Sequence, residues 1–210
     1  MFVTILGLIG TGKSTITNLL AKRNDFIQFQ EPVEDNPFLE SYYKDPTRWS
    51  YALQVTLLFY RYLQVLEGNL DSFKGHSTAM DSSIFSDMAF ALVQKKYNYF
   101  TDAEWNSYLR MHQILTSQLA YPDLIIYLRL SPEQTLERIR QRNRECESGI
   151  TIEYLRDLEE SYSIVLNKLR ERAEIKYIDA TPCIDDVYDS VLHTIEEYRE
   201  NNKYDMLRYL

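Results

Sequence analysis

The run Gly7-Leu8-Ile9-Gly10-Thr11-Gly12-Lys13-Ser14 constrains the fold more than any other feature of the chain. It has the spacing GxxxxGK[ST] and directly follows an apolar, β-prone stretch, Phe2–Leu6. Glycines at these positions let backbone N–H groups turn inward around phosphate oxygens, and a helix starting just after adds its positive N-terminal end. In such a loop Gly7, Gly10, Thr11, Gly12 and Thr15 line the phosphates. Lys13 meets the β- and γ-phosphates, and the Ser14 hydroxyl binds Mg²⁺. The expected element order is therefore strand, phosphate loop, helix (Thr15 to Lys22). A loop of this kind binds a nucleotide without separating a kinase from a GTPase or an ATP-driven machine.

Further β-prone runs recur at Phe26–Phe29, Thr78–Met80, Leu124–Leu130 and Ile175–Ile178, with helical spacing between them. The last helix is the clearest, with Ile184, Val187, Tyr188, Val191, Leu192, Ile195 and Tyr198 following the i, i+3, i+4, i+7 rule. Ser131-Pro132-Glu133-Gln134 offers a cap, a proline at the first helical position and a capping-box glutamine. Alternating short strands and helices predict an α/β domain with a parallel sheet. Its ligands then sit beyond the carboxyl ends of the strands. No repeat, low-complexity segment or Pro/Gly/Ser linker divides the 210 residues, so one domain over 1–210 is expected.

A net charge of −8 argues against a partner that is a nucleic acid polymer, which calls for a basic face. No apolar run approaches the ~18–20 residues of a membrane span, and a signal or transit peptide is hard to fit before Phe2. Cys146 and Cys183 form neither a CxxC pair nor a dense disulfide pattern, which suits a reducing, cytoplasmic compartment. His76, His112 and His193 have no metal-ligand spacing.

Beyond the second strand lies Glu31-Pro32-Val33-Glu34. A hydroxyl acceptor needs a base as the phosphoryl group arrives, and a carboxylate facing the phosphate loop suits that task. Capping the next helix or facing solvent are the bland alternatives for Glu31. Trp49 to Leu66 reads as a helix with Trp49, Leu53, Leu57 and Tyr60 on one face and Gln54 and Arg61 on nearly one stripe. Arg129, Arg138, Arg140, Arg142 and Arg144 crowd into an otherwise acidic chain, which points to an anion site or to a solvated charged helix.

Taken together these blocks resemble the deoxyribonucleoside kinase family. They are the phosphate loop, Glu31–Glu34, Tyr43-Lys44-Asp45-Pro46 with Trp49 and Gln54, Asp81-Ser82-Ser83 through Asp87, Tyr127–Pro132, and Arg138–Glu145 through Tyr154-Leu155. The resemblance implies a P-loop kinase fold with a five-stranded parallel sheet, flanking helices and an arginine-bearing lid over about 138–152. It implies transfer of the ATP γ-phosphate to a nucleoside 5′-hydroxyl, with Glu31 as general base, Mg²⁺ carried by ATP, and Asp81 near the metal. Tyr43 and Glu147 would hold the sugar 3′-hydroxyl, and Gln54, Arg61 and Asp87 would contact the base. Arg138, Arg142 and Arg144 would close over ATP. The Arg–Asp pairing points away from thymidine, and Asp35-Asn36-Pro37 tilts the expectation toward deoxyadenosine or deoxyguanosine, with deoxycytidine also open. A homodimer through the Trp49–Leu66 or Ser83–Lys96 helix is implied by analogy. One departure stands out: Ser82 takes the place of an arginine, leaving compensation by a neighbouring cation, an engineered change or reduced activity as explanations. The rival readings are a nucleoside monophosphate kinase and a degenerate nucleotide-binding regulatory protein.

Overall fold

The computed structural model describes residues 1–31, 33, 36–144, 147 and 149–202. Five strands, β1 (Phe2–Gly7), β2 (Phe26–Phe29), β3 (Ser77–Asp81), β4 (Leu124–Arg129) and β5 (Glu174–Asp179), form one sheet in the order β2-β3-β1-β4-β5. Every pairing is parallel. Each connection must therefore cross a face of the sheet, and helices cover both faces. The five β-prone runs all become strands, with ends shifted by at most one residue.

Eight helices complete the described residues: α1 (Lys13–Asn24), α2 (Leu39–Lys44), α3 (Pro46–Phe73), α4 (Ile84–Lys96), α5 (Asp102–Thr116), α6 (Pro132–Arg142), α7 (Ile152–Leu169) and α8 (Ile184–Asn201). Alternation along β1 divides the core. Phe2 and Leu6 pack among buried residues of α3, α4, α5 and α7, while Val3 and Ile5 pack with those of α1 and α8. Each such buried aliphatic or aromatic side chain stabilises the fold by about 1.5–3 kcal/mol. None of the described helices is long and apolar enough to cross a membrane.

Local chemistry explains the boundaries. Ser131 Oγ accepts from the Gln134 N–H at 3.2 Å and Gln134 returns a bond to the Ser131 N–H, with Pro132 opening α6. Asp45 accepts from the Arg48 N–H at 3.2 Å, and Pro46 opens α3. That helix outruns the expected Trp49–Leu66 at both ends. Its last turns bury Gly68 and Asn69 rather than large apolar residues, so the apolar pattern stops before the helix does. Gly68 lies against Met80 and Phe29, and the Asn69 amide exchanges bonds with the Ala120 backbone. In α8, Val187, Tyr188, Val191 and Ile195 are buried as expected, but Ile184 at the first turn is 40% exposed.

Candidate active site

The phosphate loop leaves β1 at Gly7, whose φ of +151° and tight surroundings exclude a side chain: a Cβ would stand 2.8 Å from the Leu128 carbonyl oxygen. Gly12, at φ +95°, turns the chain into α1. Within the loop, Lys13 is nearly buried, and its Nζ and the Thr11 hydroxyl both donate to the Leu8 carbonyl, at 3.0 and 2.9 Å. Ser14 Oγ donates to Asp81 Oδ2, joining the start of α1 to the end of β3. The other Asp81 oxygen is buried without a partner among the described residues. Burial pushes the Asp81 carboxyl above its ordinary range and the negative charge of Glu31 adds to this, while Lys13, Ser14 and Arg61 oppose it. A hydroxyl, a carboxylate with a spare oxygen and the mouth of a phosphate loop fit a Mg²⁺ ion bound together with nucleotide phosphates.

Arg61, from the middle of α3, is 2% exposed and bridges two carboxylates. Its Nη1 donates to Asp87 and its Nη2 to Glu31. Burial works against the guanidinium charge, but Asp87 and Glu31 more than offset it and hold the group firmly protonated. The second Asp87 oxygen accepts from Gln54 Nε2 at 2.8 Å and from the Tyr108 hydroxyl at 2.6 Å. Gln94 in turn donates to Gln54 Oε1 at 2.8 Å. The three residues expected to read the base therefore converge, and Arg61 ties their cluster to Glu31.

Sequence reasoning missed Tyr108 and Gln94. They lie on α5 and α4; no spacing links Tyr108 to Asp87 or Gln54, whereas Gln94 stands seven residues after Asp87 on α4, a stripe relation that was there to be read. Another member that sequence reasoning left without a role is Tyr154, at the start of α7. Burial raises its hydroxyl well above the ordinary value, and Tyr42, Tyr43, Tyr97 and Glu31 reinforce that shift. Tyr43 is 42% exposed, with its ring edge-on to Tyr42 at 5.4 Å.

The arginine-rich segment divides. Arg138 donates to the Ala180 carbonyl at 2.8 Å, tying α6 to the loop after β5. Arg142 Nε donates to Glu147 at 3.2 Å, its Nη2 donates to the same carboxylate, and Arg144 stands 3.9 Å from it. Glu147, expected at the sugar, is thus held by Arg142 with Arg144 nearby, and is nearly buried. Arg140 faces solvent, and Arg129 points elsewhere, lying 4.1 Å over the Tyr177 ring. Pro32, Glu34 and Asp35 of the acidic block, and Glu145, Cys146 and Ser148 of the lid, lie outside the described residues, as do residues 203–210.

Position 82 follows directly on Asp81. Ser82 has φ +62°, is buried, and its hydroxyl has no partner among the described residues. The cation beside Glu31 is Arg61, and the cation acting most strongly on Asp81 is Lys13. Asn36 is structural: its side chain donates to the Leu53 carbonyl at 3.0 Å and accepts from the Phe38 N–H at 2.9 Å, pinning the segment before α2 to α3. The Ser83–Lys96 helix offers little free apolar surface in the single chain. It runs through the core as α4, with Ile84, Phe85, Ala89, Ala91 and Val93 all buried. A groove of about 680 Å³ lies elsewhere, between β4, β5 and α7, and neither the phosphate loop nor Glu31, Arg61 or Asp87 lines it.

Known proteins match this geometry. The family model for deoxynucleoside kinase matches residues 3–201. A deoxyadenosine kinase from Dictyostelium discoideum is 33% identical over 183 residues, covering 87% of this chain and 74% of the relative. A deoxyguanosine kinase from Bacillus subtilis is 33% identical over 172 residues, covering 81% of this chain and 80% of the relative. Among solved structures, a deoxyadenosine kinase from M. mycoides with bound dCTP superposes with a TM-score of 0.82 at 27% identity, covering 94% of this chain and all of that one. With a phosphate loop, a neighbouring carboxylate and a buried polar cluster already joined in one site, these matches show that the chain belongs to the deoxynucleoside kinase family.

Proposed function

We propose that this kinase transfers the γ-phosphoryl group of ATP to the 5′-hydroxyl of a purine deoxynucleoside or deoxycytidine, with Glu31 as the general base. One observation carries the reading: Glu31 stands between the two ends of the reaction, linked electrostatically to Asp81 beside the phosphate loop and by an ion pair to Arg61 in the polar cluster. In the step proposed, the 5′-hydroxyl proton passes to the Glu31 carboxylate as the oxygen bonds to the γ-phosphorus. The bond to the bridging oxygen breaks and ADP leaves.

Lys13 and the N–H groups from Gly7 to Thr15 grip the phosphates, and Arg142 and Arg144 close on the transferring group while Arg138 anchors the lid at the ATP side. Ser14 and Asp81 would hold the Mg²⁺ that accompanies ATP and neutralises phosphate charge. Tyr43 and Glu147 take the 3′-hydroxyl, which requires Glu147 to exchange part of its hold on Arg142 for the sugar. Gln54, Arg61 and Asp87 face the base. The purine preference is supported by relatives that act, by name, on deoxyadenosine and deoxyguanosine. A cytoplasmic role in nucleoside salvage follows from this chemistry and from the sparse, unpatterned cysteines.

The protein works as a homodimer in this reading. Phe59, Leu63, Leu66, Leu70 and Phe73 are exposed along α3 at alternating steps of four and three residues, with Ile114 of α5 exposed as well. A stripe of that period is self-complementary to a second copy of the same helix.

The test is a panel of the four deoxynucleosides and deoxyadenosine monophosphate with Mg·ATP, with products identified by mass. The expected product is a deoxynucleoside monophosphate, and Glu31→Gln lowers kcat by about 10²–10⁴-fold while nucleoside affinity changes little. Full turnover by Glu31→Gln, or a diphosphate as the sole product, defeats the assignment.

A further inference from the structure

Glu31 does not face the acceptor space as an unencumbered carboxylate, because Arg61 holds it. The same guanidinium holds Asp87, and the remaining Asp87 oxygen is filled by Gln54 and Tyr108. Nearly every polar group expected to meet a base is thus committed to another member of the cluster. Two atoms are left over, Arg61 Nε and Gln94 Oε1, both buried and without a partner among the described residues. A donor and an acceptor left unmade in a buried site are costly, and the edge of a nucleobase carries groups of both kinds.

We propose that Arg61 is a coupling residue that keeps Glu31 turned toward the polar cluster until a nucleobase takes over part of its hydrogen-bonding set. The inference rests on the reading of Glu31 as general base and of Arg61 and Asp87 as base-contacting groups. Its physical content is competition for one guanidinium. A base that draws the guanidinium toward itself and accepts from Nη2 takes the donor that now holds Glu31, whose carboxylate then turns to the 5′-hydroxyl. A base binding equally well with and without the Arg61–Glu31 tie would shift nothing, so the coupling needs the base and Glu31 to compete. With no base present, water in the acceptor position meets a carboxylate already engaged. That water lacks a base turned toward it, and transfer of the phosphoryl group to water, giving ADP and inorganic phosphate, is suppressed.

The test measures, for the full chain with Mg·ATP, phosphate release without nucleoside and phosphoryl transfer to deoxyadenosine, in the wild type, Arg61→Gln, Glu31→Gln and the double variant. The expected result is phosphate release without nucleoside at least about tenfold faster in Arg61→Gln than in the wild type, with the increase lost in the double variant, as expected if a freed base is worth part of its usual 10²–10⁴-fold. Unchanged phosphate release, with transfer weakened, overturns the coupling and leaves Arg61 a binding residue. Full transfer by Glu31→Gln alone would instead defeat the underlying assignment of the base, so the two failures are distinguishable.

Arg61→Gln strips a buried pair and risks unfolding, so a wild-type experiment decides independently. The abasic acceptor 1,2-dideoxyribose is offered with Mg·ATP, with and without each free nucleobase. Acceleration of its 5-phosphorylation by at least one base supports the coupling, and no acceleration by any of them at saturating concentration overturns it.

Discussion

Ser14 and Asp81 are sixty-seven positions apart in the chain and share a hydrogen bond across the carboxyl ends of β1 and β3. The contact exists because those strands are neighbours, with Ile5 registered against Asp81. If the pair holds the metal accompanying ATP, Ser14→Ala and Asp81→Asn each raise the Mg²⁺ concentration for half-maximal transfer by about tenfold or more. A Mg²⁺ titration at fixed ATP reads this directly, and an unchanged midpoint in both variants removes the pair from metal binding.

Asp87 is fully buried with three side-chain donors on its two oxygens. Removing it leaves Arg61 with one carboxylate where it had two and strands the donors of Gln54 and Tyr108. Asp87→Ala is expected to cost about 3 kcal/mol of stability, within the range for breaking a buried charged pair. Urea unfolding followed by circular dichroism gives the number, and a loss below about 1 kcal/mol would mean that the network contributes no more than a surface pair.

His112 supplies a pH signature. Its Nε2 is 3.1 Å from the Ile84 carbonyl oxygen, and burial lowers its pKa below 6.5, against the opposing charge of Asp87. Below that value the unfolded chain takes up a proton that the folded chain resists. Stability is therefore fully retained above about pH 6.5 and falls as the pH drops below it. In His112→Gln that part of the slope disappears, which thermal unfolding at pH 5, 6 and 7.5 would detect as a smaller loss of Tm on acidification.

The exposed stripe on α3 predicts an assembly-breaking change. Leu63→Glu and Leu66→Glu place charge in the middle of the apolar row without touching the core, since both side chains face solvent in the isolated chain. Sedimentation at micromolar protein is expected to show a dimer for the unaltered protein and a monomer for the double variant. A monomer in both cases sinks the pairing.

Much of this was legible in the residues themselves, for identifiable reasons. The strands announce themselves because a parallel sheet buried on both faces requires short continuous apolar runs, and the phosphate loop because its backbone demands glycine. Gln54 and Arg61 were visible as one stripe because seven residues make nearly two helical turns. Gln94 stands seven residues after Asp87 on α4, so its stripe was present and went unread, whereas Tyr108 was invisible for the opposite reason: helices brought together by packing alone leave no periodic trace of their contact. The end of α3 was misjudged because Gly68 and Asn69 fill buried positions with a close approach and an amide pair, where a pattern reader waits for a large apolar side chain. The five arginines looked like one cluster, yet Arg129 ends a strand and Arg140 lies on the outer side of α6, so only three reach the loop after β5 or Glu147.

Strand order has a further consequence. Glu31 lies just past β2, Asp81 closes β3 and the phosphate loop springs from β1, and these three strands are consecutive in the sheet. The path from acceptor to donor is thereby ruled off in widths of backbone ladder, roughly 4.7–4.9 Å each. The gauge between acceptor and donor is therefore set by the hydrogen-bonded ladder of the sheet, not by the side chains at either end.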